Sequence, residues 1–222
     1  MKTAKLASAL ILSALSAGVH AADFSLRLIG EQSIATGTLF GGIEFGGISG
    51  IDRAADGTFW ALSDDRGGER GTPRFYNLSL NYDASGFHGV TVNAQKFMQR
   101  PDGTTFPANA RTVDPEGLRL APNGNLYWSS EGNWNANPAA RYQPFVREMT
   151  TDGVHVREFG APDMYDYVDN TTTGGRSNKL FEALAVTPDS RVWTANEDAL
   201  IQDGNITTLT SGSVVRVTAF DV

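Results

Sequence analysis

One acid-flanked hairpin pattern occurs three times in this chain. Gly47–Asp65 reads GISGIDRAADGTFWALSDD, Pro115–Gly132 reads PEGLRLAPNGNLYWSSEG, and Phe181–Asp198 reads FEALAVTPDSRVWTANED. With Gly50, Gly117 and Ala183 as equivalents, the copies align without insertion or deletion. Gly57, Gly124 and Ser190 follow at seven residues, Trp60, Tyr127 and Trp193 at ten, and Asp64, Glu131 and Glu197 at fourteen. Such self-similarity marks a repeat architecture. Each copy holds an apolar strand, then Asp-Gly, Asn-Gly or Asp-Ser to supply the positive φ of a tight turn, then a second strand with a large aromatic.

Two further strands are expected behind each hairpin. They are Arg74 to Tyr82 and Val90 to Met98 in the first copy, and Phe145 to Met149 and Val154 to Phe159 in the second. In the third they are Ile206 to Leu209 and Val214 to Phe220. Four antiparallel strands per copy make a blade, so the fold class is all-β, of β-propeller type. The copies lie 67 and 66 residues apart, beyond the roughly 40–45 of a bare blade. The surplus falls in loops rich in Gly, Pro, Asn and Arg. Three blades are fewer than the about four to eight that close a ring, the last residues read as strand, and a strand near Phe24 to Ile29 would complete a blade begun by a distant C-terminus. The expectation is an incomplete propeller, truncated at its C-terminus, with an uncovered blade face and poor solubility. A small open β-sheet protein is the alternative.

Met1–Lys5 carries two lysines, Leu6–Val19 is uncharged, and Val19-His20-Ala21 offers small residues at the two positions a signal peptidase reads. Residues 1–21 therefore read as a signal peptide and 22–222 as one domain, periplasmic or secreted, with no membrane contact after cleavage. The apolar run is shorter than the about 20 residues of a spanning helix. The chain has a net charge of −7, which becomes more negative when Lys2 and Lys5 leave. That balance argues against nucleic acid, whose phosphates need a basic stripe, and suits cation binding. There is no cysteine, which excludes disulfides and a thiol nucleophile.

Hairpin geometry turns the repeat into a site. The residue before the first strand and the residue ending the second lie at the same end, though fifteen apart in sequence. These pairs are Ser49 and Asp64, Glu116 and Glu131, and Glu182 and Glu197. If the first strands line a central channel, the acids converge at one mouth, with Asp114 and Asp198 nearby. Crowded carboxylates call for a cation or for protonation. Oxygen ligands favour Ca2+, and Glu116, Glu131, Glu182, Glu197 and Asp64 are its expected ligands. Capping of strand ends in water, or bonds to backbone amides, is the bland alternative. Arg66, Arg111, Arg176 and Lys179 stand in neighbouring loops and could hold an anionic substrate; pairing with the acids would equally explain them. Ser49 lacks the Gly-x-Ser-x-Gly context of a nucleophile elbow, and His88 and His155 read as surface or packing residues. Trp60, Tyr127 and Trp193 read as core between blades, with Trp128 and Trp134 better placed to line a pocket.

Several of these stretches resemble the phytase-like domain family, also called esterase-like activity of phytase. They are Ser49-Gly50-Ile51, Ser63-Asp64-Asp65-Arg66-Gly67, Asp114-Pro115-Glu116-Gly117-Leu118, Ser129-Ser130-Glu131-Gly132-Asn133, Asn178 to Ala185 and Ala195-Asn196-Glu197-Asp198. The resemblance implies an exported bacterial propeller-type hydrolase of esterase or phosphatase character. It brings no catalytic residue set, so Glu131, Glu197 and Asp64 are named as catalytic from the repeat. The expected substrate is a small anionic ester or phosphoester. A calcium-stabilised binding propeller and a lactonase-like sugar-ester hydrolase are the rival readings.

Overall fold

The computed structural model describes residues 25–65 and 70–222. The leader at 1–21 and Arg66 lie outside the described residues, as does Phe24. Strands β1 (Leu39–Phe40) and β2 (Ile43–Glu44) form a small hairpin. A four-stranded antiparallel sheet follows, from β3 (Ile48–Arg53), β4 (Phe59–Ser63), β5 (Arg74–Asp83) and β6 (Gly86–Phe97) in chain order. The second sheet repeats this order with β7 (Pro115–Leu120), β8 (Leu126–Ser130), β9 (Phe145–Met149) and β10 (His155–Phe159). The third has three strands, β11 (Phe181–Val186), β12 (Val192–Asn196) and β13 (Val217–Phe220). The fold is all-β and of propeller type, and among the described residues the sheets do not close a ring.

Two expected strands are absent. Residues 206–209 are not a strand of the third sheet; Thr208 forms only an isolated bridge with Ser211, and β12 pairs directly with β13. Ile206 is exposed and Leu209 fully so. Their apolar character has no sheet face to bury. Residues 25–29 are not a strand either. They run past the β5–β6 turn, where Arg27 donates to the Ala84 carbonyl.

The repeat hairpins close as three-residue loops. The Gly57 N–H donates to Ala54 O, Gly124 to Ala121 O and Ser190 to Thr187 O. All three donors have positive φ, at 89°, 87° and 67°. This is a type I turn followed by a left-handed residue, and it accounts for Gly, Gly and the unusual Ser. The β9–β10 turn uses the same device at Gly153.

Stacking of the sheets explains the composition of the strands. In β8, Leu126 and Trp128 face a core with Leu62 and Phe75 of the first sheet and Met98 just past its last strand. Tyr127 faces the opposite way, into a core with Phe181, Leu184 and Val192 of the third. The middle sheet is buried on both faces, so all of Leu126–Ser130 is buried. The free face of the first sheet, with Ala61, Tyr76 and Leu78, is covered by Phe40 and Phe45 of the small hairpin. Among the described residues nothing covers the third sheet in this way, and Val217 is 63% exposed.

The first strands β3, β7 and β11 lie side by side. Ser49 Oγ donates to Pro115 O at 3.2 Å, and Leu120 N–H donates to Asp52 Oδ2 at 2.8 Å. Glycine permits this approach. A Cβ at Gly50 would lie 2.8 Å from Leu118 N, and one at Gly117 would lie 2.5 Å from Leu184 Cβ. At the third equivalent position Ala183 is exposed. Gly117→Ala is therefore expected to lower the unfolding free energy by about 1–3 kcal/mol. Ala183→Ser should stay within about 0.5 kcal/mol. Urea denaturation of the two variants checks the contrast.

Candidate active site

Two backbone devices recur at one end of every hairpin. The residue at the end of the second strand donates its N–H back across the first: Asp64 to Gly47 O, Glu131 to Asp114 O and Glu197 to Leu180 O, at 2.7, 3.0 and 2.8 Å. The pairing register also shifts at Ile48/Gly50, Pro115/Leu118 and Phe181/Ala183. Ser49, Glu116 and Glu182 thus sit in β-bulges. A bulge breaks strict alternation and re-aims a side chain. The bulge was not legible in the sequence, although the acid it redirects was.

These devices bring the acids together. Glu131, Glu182 and Glu197 each place a carboxylate oxygen within 4.8 Å of the others. Glu131 is 1% exposed, and neither of its carboxylate oxygens has a hydrogen-bond donor. Burial pushes its pKa up from 4.5 to about 9, helped by the neighbouring Glu182 carboxylate and by the charges of Asp114 and Glu197. Glu116 is also pushed up to about 9, by burial first and then by Glu182, Asp114, Glu131 and Asp64. Glu116 and Glu182 line a groove of about 320 Å³ along the inner strands, with Ser49 and Gly117.

The cations are unevenly placed. Lys179 Nζ lies 2.5 Å from Glu197 Oε1, and this contact raises the lysine pKa. Arg111 lines a cavity of about 250 Å³ with Asp114 and Trp134. Arg176 donates to the carbonyls of Ala199 and Gly204 and lines a second cavity, also bordered by Trp134. Asp198 behaves as the bland alternative supposes, accepting from the backbone N–H groups of Ala199 and Thr207. Trp128 does not line a pocket: it is 1% exposed, packed edge-on against Phe106 and Phe145. His88 and His155 belong to the β5–β6 and β9–β10 hairpins, at the end of the sheets opposite the acids.

Arg74 is a buried cation that the repeat did not point to. It binds Asp65 at 2.6 Å, Tyr76 Oη at 2.6 Å and the Glu44 carbonyl at 2.9 Å. It ties the small hairpin to the rim beside Asp64. Its sequence signal is an arginine placed directly before Phe75-Tyr76 at the start of a strand.

Fold and site define an all-β protein of stacked propeller-type sheets with a carboxylate cluster at the ends of its inner hairpins. The family model for Phytase-like, described as esterase-like activity of phytase, matches residues 43–222. The chain belongs to that family, whose description suggests a hydrolase-type function. No curated protein and no solved structure matches the chain.

In cation-free protein at mildly alkaline pH, Glu131→Gln is expected to raise Tm. The amide has no charge to bury and can donate to Glu182. The gain should be about 2–4 °C per kcal/mol recovered. Glu197→Gln, at an exposed position, should shift Tm less. Differential scanning calorimetry reads both.

Proposed function

We propose that this chain is an exported hydrolase of ester or phosphoester bonds, with its reaction centre at the carboxylate cluster. Glu131, Glu182 and Glu197 would hold a divalent cation, calcium by the hardness of the oxygen donors. One observation carries this reading: Glu131 is buried with both oxygens unpartnered, facing two further carboxylates. A bound cation would polarise the ester and lower the pKa of a water.

The chain's own residues supply the rest. Glu116, with its pKa at about 9, carries a proton at neutral pH and can hand it to the leaving oxygen. Asp64 is close enough to raise the pKa of Glu116 and can take the proton of the attacking water. Arg111, at the adjoining cavity, would hold an anionic group of the substrate, with Lys179 close by. Arg66 and Arg176 are the other arginines expected to serve there. Export rests on the leader at residues 1–21. Among the described residues no helix is long and apolar enough to cross a membrane. The calcium-stabilised binding propeller uses the same cluster without turnover.

Two measurements separate these readings. For Glu116 and Glu131, folding raises the pKa from 4.5 to about 9. Their contribution to stability is therefore full below about pH 4.5 and lost as pH rises towards 9. They are faced by Glu182, Asp114, Asp64 and Glu197, and by Lys179. In EDTA, Tm should fall across that window. Calcium should reduce the fall, because the ionised carboxylate of Glu131 is one of its ligands. Melting that is flat with pH and blind to calcium would sink the cation site.

The second measurement is hydrolysis of p-nitrophenyl phosphate, p-nitrophenyl acetate and a lactone, with and without EDTA. Turnover of at least one, lost in EDTA and in Glu131→Gln, is the expected result. Turnover indifferent to both refutes the mechanism. No turnover together with calcium-dependent melting leaves the binding propeller.

A further inference from the structure

Trp134 is 43% exposed, yet its loop is firmly held. Asn133 and Tyr142 exchange two backbone hydrogen bonds, at 2.8 and 3.0 Å. Arg141, whose side chain is 6% exposed, sets its guanidinium 5.9 Å from the centre of the indole. That guanidinium is itself fixed by the carbonyls of Asn135 and Tyr167 and by Asp169. Holding a large apolar ring at the surface in this way positions it for a ligand.

The indole borders two cavities. One, of about 250 Å³, carries Arg111, Asp114, Asn133 and Asn178. The other, of about 700 Å³, carries Asp169, Asn170, Thr171 and Arg176 together with the apolar Val168 and Ile201. Together they reach the about 300–1,000 Å³ usual for small-ligand sites. Apart from the indole, the smaller cavity is lined mainly by amide, hydroxyl, carboxylate and guanidinium groups. An aryl or alkyl ligand would make no use of the amides of Asn133 and Asn178 and the hydroxyl of Ser177, and a free phosphate would leave the indole unused. A pyranose matches both, since its ring presents a C–H face for stacking and an edge of hydroxyls for the polar groups. Asp114 joins the smaller cavity to the carboxylate cluster: it lines the cavity, and its carbonyl accepts from the Glu131 N–H at 3.0 Å.

We propose that the cavities around Trp134 bind a pyranose sugar ring, as the sugar part of the ester cleaved at the adjoining cluster. The place of that sugar in a substrate rests on the hydrolase reading; its binding does not. The test is a tryptophan-fluorescence titration of the full chain in EDTA, with methyl β-D-glucopyranoside, methyl α-D-mannopyranoside and maltose. These probes hold no ester, so their binding is independent of hydrolysis. A saturable change with at least one probe is expected. Trp134→Ala should weaken it about tenfold or more, and Trp134→Phe, which keeps an aromatic face, should weaken it less. Absence of a saturable change with all three probes overturns the proposal. So does binding that is equally tight in wild type and both variants. If Trp134→Ala fails to melt cooperatively, saturation-transfer NMR on wild type decides: transfer from indole protons to the glycoside supports the site, and none overturns it.

Discussion

The close approach of the inner strands is the constraint on which the rest of the molecule depends. Sheets stacked around an axis must converge at their first strands, and the convergence is limited by whatever side chain stands between them. At Gly50 and Gly117 nothing stands there, so β3 packs on β7 and β7 on β11 with backbone in reach. Two cores then form on either side of the middle sheet, one built on Trp128 and the other on Tyr127. The same convergence carries the ends of three hairpins to one rim.

Convergence has an electrostatic consequence. The acids at the ends of β8 and β12 meet those in the bulges of β7 and β11, and burial removes the water that would screen them. Glu131 is the extreme case, with two oxygens shielded from solvent and no donor for either. Such a carboxylate has two physical remedies, a proton or a cation. The raised pKa values of Glu116 and Glu131 describe the first, and three carboxylates within reach of one another suit the second. Lys179 offers partial relief, by contact with Glu197 where the site opens to solvent and by its charge facing Glu131.

The aromatic residues divide by what lies behind them. Trp128 follows Tyr127 in a strand covered on both faces, so it goes to core although it stands beside the site in sequence. Trp134 lies past the end of that strand, in a loop clamped by Arg141, and there the ring stays at the surface. Two tryptophans six residues apart thus have opposite fates, decided by sheet stacking and by one arginine.

The sequence by itself determined the hairpins, their turns and the acids at their ends, because these are local. Three-residue loops with a left-handed residue and period-two strands need only neighbouring residues, and Gly57, Gly124 and Ser190 announce them. The spacing of Ser49 from Asp64, and of Glu116 from Glu131, follows from hairpin closure alone. Tertiary structure decided what local rules cannot reach. Bulges at the first strands aimed Glu116 and Glu182, stacking buried Glu131 and Trp128, and the distant Glu44 carbonyl drew Arg74 to the small hairpin. It also left Ile206 to Leu209 out of the third sheet, where β12 pairs with β13 instead. Strand propensity is a weak local bias, and the partner available across the sheet outweighs it.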